Sequence, residues 1–274
     1  MKKEEGDMAV YVTGDCHGDF RKFNMENFPE QRDMTKDDAV VVCGDFGGVW
    51  AKDETVKGKY GWKDEKSRLD WLAEKPYFTL FVDGNHENFD RLRAFPVKEW
   101  NGGLVHEIRP NVLHLMRGQV FSIQGEKYFA FGGASSHDVG HGIIDPATDP
   151  NWKKTVRNLR KDGIWDFRVK GTEWWPEESF KSMNPEEVRA QKEEASANLE
   201  KAGWEVRYVI THDLPASDLA LYGGGFYKPD EHSRFLEEIR CRLTYKRWVA
   251  GHYHDERQIT AQDAVLYDQI VRIW

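Results

Sequence analysis

"YFTLFVDGNHE" (77–87) is an apolar, mostly aromatic and β-branched run that stops abruptly on Asp83, Gly84, Asn85, His86 and Glu87. A run this apolar, without clean alternation, is expected of a strand covered on both faces. Its tip is the opposite. Side chains rich in lone pairs are costly inside a core and useful at a site. The stretch therefore reads as a buried strand delivering chemistry at its end.

The design recurs in both directions along the chain. "AVYVTGDCHGDF" (9–20) and "AVVVCGD" (39–45) precede it, and "VRYVITHD" (206–213) and "KRWVAGHYH" (246–254) follow. "QVFSIQ" (119–124) and "KYFAFGGASS" (127–136), separated by "GE", read as a hairpin, and "AVLYDQIVRIW" closes the chain. Helical candidates lie between them at roughly 64–74, 87–95, 185–202 and 230–242. The order is mostly alternating β and α with an antiparallel pair in the middle.

Residues 138–205 fit this rhythm least. They carry mixed charges and four tryptophans before Trp204, and "TEWWPEE" (172–178) leads into a helix with Asn184 at its N-cap and Pro185 at its first position. The segment reads as a lid-like insertion in a single domain spanning 1–274, with Trp174 and Trp175 as its anchor.

Composition narrows the function. Of 274 residues, 39% are hydrophobic and 31% charged, which suits a soluble domain with a sizeable core. The net charge of −8 argues against a binder of long nucleic acid. It leaves open a small phosphorylated substrate held through a metal. No run is long enough to span a bilayer, and the N-terminal "MKKEEGDMAV" lacks an apolar stretch. The three cysteines, Cys16, Cys43 and Cys241, show no CxxC spacing. A reduced, cytoplasmic protein is expected.

The strand tips supply Asp15 and His17, then Asp45, then Asn85 and His86, then His212, then His252 and His254. Strand ends of an α/β sheet converge on one rim, where such folds place their sites. Carboxylate, amide oxygen and imidazole suit Mn²⁺, Fe or Zn²⁺. Eight such groups exceed one ion's needs and match two ions sharing a carboxylate. A lone histidine is usually structural, and His106, His114, His141 and His232 are read that way, as Cys16 and Cys43 are read as small apolar side chains.

In this order the motifs "DCH", "GDFG", "GNHE", "THD" and "GHYH" resemble the calcineurin-like metallophosphoesterase superfamily. The resemblance implies a four-layer αββα sandwich with two mixed β-sheets. It implies that Asp15, His17 and His254 hold one metal with Asp45, which bridges to a second held by Asn85, His212 and His252. His86 would then protonate the leaving oxygen rather than bind metal, while a hydroxide bridging the metals attacks phosphorus. The expected activity is hydrolysis of a phosphate ester of a small soluble substrate, with two divalent ions, Mn²⁺ foremost. The alternatives are a nucleotide phosphodiesterase or nuclease, and an inactive metal-binding scaffold. "GDFGGVW" lacks the aspartate and arginine of the superfamily's phosphoprotein phosphatases, so the acidic partner of His86 is unassigned. Arg91, Arg93 and Arg117 are candidates for gripping phosphate, and Ser135 and His137 for reaching the substrate.

Overall fold

A computed structural model describes residues 9–58 and 60–273. The first eight residues of the N-terminal stretch discussed above, and Trp274 at the end of the closing strand, lie outside them. In chain order the strands are β1 (Val10–Thr13), β2 (Ala39–Val42), β3 (Phe78–Phe81), β4 (Val97–Trp100), β5 (Gly103–Arg109), β6 (Val112–Leu115), β7 (Gln119–Ile123) and β8 (Glu126–Phe131). Then come β9 (Ile143–Ile144), β10 (Arg168–Val169), β11 (Tyr208–Thr211), β12 (Arg247–Ala250), β13 (Arg257–Gln258), β14 (Asp263–Val265) and β15 (Val271–Arg272). The helices are α1 (Glu65–Ala73), α2 (Phe89–Leu92), α3 (Trp152–Lys161), α4 (Pro185–Lys201), α5 (Ala216–Gly223) and α6 (Glu231–Arg240).

Two mixed sheets form. The first runs β15-β1-β2-β3-β6-β5-β4, with β1, β2, β3 and β6 parallel and the outer strands antiparallel. The second runs β13-β14-β12-β11-β8-β7, with β8, β11, β12 and β14 parallel and the predicted β7–β8 hairpin antiparallel. Because side chains alternate faces along a strand, each strand feeds two different cores. Val10, Val12, Val41 and Leu80 point into the layer between the sheets, where they share a core with Tyr128, Ala130, Ile210 and Val249. Tyr11, Val40, Val42 and Phe81 point the other way, onto Leu69 and Leu72 of α1. Phe129, Phe131, Val209 and Trp248 form the outer face of the second sheet and pack on α4 and α6. The four layers are therefore α, β, β and α, the architecture expected of a calcineurin-like phosphoesterase.

The segment 138–205 has two physical parts. Ile144, Val156, Phe167 and Val169 make a small core of their own from β9, α3 and β10. Val188, Ala195 and Leu199 of α4 belong to the main outer core. Asn184 caps α4 by accepting from Glu186 N–H at 2.9 Å, with Pro185 at the first position, as the sequence suggests.

Candidate metal centre

The parallel strands of both sheets bring their carboxyl ends to one rim. β1 leads to Asp15 and His17, β2 to Asp45, β3 to Asn85 and His86, β11 to His212, and β12 to His252 and His254. Leaving a strand and turning within two residues strains the backbone, and the strain is visible. His17 (φ 48°), Asp45 (45°), His252 (72°) and His254 (50°) all adopt the left-handed region. Non-glycine residues do so sparingly, and they persist where surrounding structure holds them. Two glycines give the carboxylates room: a Cβ on Gly84 would lie 2.0 Å from Asp45 Oδ1, and one on Gly251 2.4 Å from Asp15 Oδ1.

Backbone donors fix how these carboxylates face. His86 N–H donates to Asp45 Oδ1 at 2.7 Å, and His252 N–H donates to Asp15 Oδ1 at 2.8 Å. Asp15 Oδ2 is buried without an aligned donor. It faces His254 Nε2 at 3.0 Å and His17 Nε2 at 3.5 Å, and those two nitrogens stand 2.9 Å apart. Converging lone pairs around an orphaned carboxylate oxygen are what a cation needs. On the other side, His212 Nδ1 donates to the Cys43 carbonyl at 2.7 Å, which turns Nε2 toward Asp45 Oδ1 at 3.3 Å and Asn85 Oδ1 at 3.2 Å. An imidazole whose other nitrogen is committed to a carbonyl is oriented as metal-binding histidines usually are. The donor set thus fits divalent ions.

The structure draws Asp15, His17 and His254 into one potential ligand group, Asp15, Asp45 and His212 into another, and His17, Asp45 and His86 into a third. Asp15, His17 and Asp45 each belong to two of them. Asn85 joins through its contact with His212. His252 packs its ring 4.9 Å from that of His212 and turns Nε2 to His137 Nε2 at 2.8 Å, so His137 meets the centre through His252.

The electrostatics follow from burial and proximity. Burial opposes ionisation of Asp15 and Asp45, but charge on His212 and the other imidazoles outweighs it and holds both carboxyls well below their usual range. Burial pushes His212 down, yet Asp45 and Asp15 more than reverse this and raise it to about 10. His86 is lowered, by burial first, against Asp45 and with the cationic neighbours His17 and Arg168. Among the described residues no carboxylate hydrogen-bonds the His86 ring, which lies between His17 and Trp50.

The three arginines considered for phosphate are already engaged. Arg91 pairs with Glu65, Arg93 with Glu177 and Glu187, and buried Arg117 with Asp83. Arg168, unremarked in the sequence, is half-buried on β10 near His86 and pairs with Asp138. Two other residues brace the ligand loops, Arg68 outside every motif and Glu87 at the end of "GNHE". Arg68 donates from its buried guanidinium to Gly18 O at 3.0 Å and Gly47 O at 3.1 Å, tying the first two ligand loops together. Glu87, fully buried, accepts from Phe46 N–H at 2.7 Å and ties the third loop to the second. Cys16 is buried and its thiol is pushed up to about 12 by that burial, and Cys43 is likewise raised, as befits small buried apolar side chains.

The family model for calcineurin-like phosphoesterases matches residues 8–256. The chain belongs to that family. It is a metal-dependent phosphoric ester hydrolase by membership. Among curated relatives, it is 27% identical over 170 residues to the lariat debranching enzyme of Danio rerio, covering 59% of this chain and 28% of that one. It is 29% identical to lariat debranching enzyme A of Xenopus laevis, over 55% of this chain and 28% of that one. The Homo sapiens lariat debranching enzyme is also 29% identical, over 56% and 28%. The chain thus spans under a third of the length of these relatives. A crystal structure of a putative 5'-nucleotidase from Staphylococcus aureus with alpha-ketoglutarate aligns at a TM-score of 0.42 and 15% identity, over 95% of this chain and 48% of that one. Among the described residues no helix is long and apolar enough to cross a membrane.

Proposed function

We propose that this phosphoesterase works with two divalent ions, Mn²⁺ foremost, and hydrolyses a small soluble phosphate ester. Asp15, His17 and His254 would hold one ion with Asp45, and Asn85, His212 and His252 the other, with Asp45 shared. The observation that carries this reading is that the two oxygens of Asp45 face different imidazoles, Oδ2 toward His17 Nε2 at 3.7 Å and Oδ1 toward His212 Nε2 at 3.3 Å, with Asn85 beside His212. When bound, two such ions lower the pKa of water and neutralise phosphoryl oxygens.

The remaining work falls to the chain. His86 is the proton donor to the leaving oxygen. Burial lowers its affinity for a proton in the free protein, and the negative charge of a phosphate placed beside it acts in the opposite direction. A cavity of about 920 Å³ opens from His17 and His86 and is walled by Trp50, Tyr60, Gly171 and Thr172. A donor acts on the leaving group, so a cavity that begins at His86 is where the leaving group's body goes. Trp50 and Tyr60 offer it aromatic faces. Since Gly171 and Thr172 belong to the inserted segment, that segment acts as a lid that shapes selectivity on a rigid scaffold.

Similarity to enzymes that debranch lariats favours a second reading, in which the ester is a nucleotide diester. A Mn²⁺-supplemented panel of phosphomonoesters, phosphodiesters and nucleotides tests both. Turnover of small monoesters alone supports the first reading, and turnover confined to nucleotide diesters the second. Metal-loaded protein that hydrolyses neither contradicts both.

A further inference from the structure

The carboxylate of Glu178 lies in the inserted segment, far in sequence from every strand tip, and is 4% exposed. Its backbone is clamped. Arg117, itself fixed by a bond from Nε to Asp83 at 2.9 Å, donates to Glu177 O at 2.8 Å and Glu178 O at 3.2 Å, and Ala134 N–H donates to Glu178 O at 3.0 Å. From this anchor the side chain accepts twice from one residue: Ser136 N–H at 2.9 Å and Ser136 Oγ–H at 2.7 Å. Ser136 Oγ stands 3.2 Å from Asn85 Nδ2, and Asn85 Oδ1 stands 3.2 Å from His212 Nε2.

With Glu178 ionised, the donor count along this chain has one solution. A serine hydroxyl has one proton to give, and a carboxylate can only accept. With that proton given to Glu178, Ser136 Oγ can only accept from Asn85. The Asn85 amide must therefore turn its NH₂ to Ser136 and its oxygen to His212. A side-chain amide is otherwise free to turn over, and only its oxygen is a useful ligand for a hard cation.

We propose that Glu178 is a positioning residue of the metal centre, which through Ser136 holds the Asn85 amide with its oxygen toward the metals. The inference rests on the reading of Asn85 as a ligand. It makes the inserted segment part of the metal centre as well as a wall of the cavity.

The test is a Mn²⁺ titration of the metal-free full chain at pH 8, followed by calorimetry and by electron paramagnetic resonance. Glu178→Gln is isosteric, but its amide donates to Ser136 Oγ, freeing the hydroxyl proton to meet Asn85 in either orientation. It should weaken one Mn²⁺ site by about 10–100-fold, the usual cost of losing an outer hydrogen bond to a ligand, and leave the other site nearly unchanged. Ser136→Ala should do the same, and Ser136→Thr, which keeps a hydroxyl, should restore binding. Thermal unfolding of the metal-free variants at the same pH separates this from misfolding. Unchanged Mn²⁺ affinities in Glu178→Gln, or equal losses in Ser136→Ala and Ser136→Thr, would overturn the proposal. A wild type that binds one ion per chain would instead overturn the dinuclear reading on which it stands.

Discussion

Asp45 Oδ1 accepts the backbone N–H of His86 at 2.7 Å, so the carboxylate shared by two ligand groups also sets the position of the candidate proton donor. Three loops are coupled at this point, because Cys16 and His17 donate their own N–H groups to Asp45 O at 3.0 and 2.7 Å. Metal binding and the placement of His86 are thereby one piece of geometry.

Asp45→Asn should weaken both ions rather than one. Asparagine keeps an acceptor for His86 N–H but loses the charge that two clusters share. Selective loss of a single ion, seen by elemental analysis after dialysis, would place Asp45 at one site only.

His86→Ala should lower kcat by about 10²–10⁴-fold, the usual range for a general acid, with metal content intact. The loss should shrink for an aryl phosphate, whose leaving group needs little protonation. Loss of metal in this variant would make His86 a ligand.

Much of this was legible in the sequence because tip residues follow directly from strands whose apolarity is unmistakable. Asp15, Asp45, His212 and their partners meet because parallel strands end at one rim. The meander β4–β6 was not legible. β4 is an exposed edge strand, "VKEW", whose composition resembles a loop. Its turn did carry a signal, Asn101-Gly102, both with positive φ. Helix α3, "WKKTVRNLRK", is strongly charged, and its one signal is the spacing of Trp152, Val156 and Leu159, which share a face at i, i+4 and i+7 and pack in the small core. Arg68, Arg168 and Glu178 act through tertiary contacts 21 or more residues away in sequence, which no local pattern encodes.

Arg68→Met should cost about 3 kcal/mol of stability, the scale for breaking a buried, charged hydrogen-bond set. It should also loosen metal binding, since the loops of His17 and Asp45 lose their shared clamp. Denaturant unfolding of the metal-free protein measures the first effect, and a metal titration the second.

Trp175→Ala should act on stability before selectivity. The indole is 3% exposed, donates to Asp90 at 2.8 Å and packs edge-on against Trp50 at 5.7 Å. Truncating a buried tryptophan typically costs about 3–5 kcal/mol. A variant as stable as wild type would remove Trp175 as the anchor of the inserted segment.

Glu178 gives a pH signature. Burial raises its carboxyl from 4.5 to about 7, so the folded protein holds a proton there that the unfolded chain has released. The stability this group allows is therefore complete below pH 4.5 and declines as pH rises through about 7. The decline amounts to as much as about 3 kcal/mol. Glu178→Gln cannot titrate, so its stability relative to wild type should increase between pH 5 and pH 8 in metal-free protein. A difference that stays constant with pH would contradict the burial argument.

The central claim is a two-ion centre built on a shared carboxylate. Elemental analysis of the full chain, reconstituted with excess Mn²⁺ and freed of loosely held ions, reads it directly. Two ions per chain in the wild type, with both lost together in Asp45→Asn, is the expected result. One ion per chain, or two that survive Asp45→Asn, would contradict it.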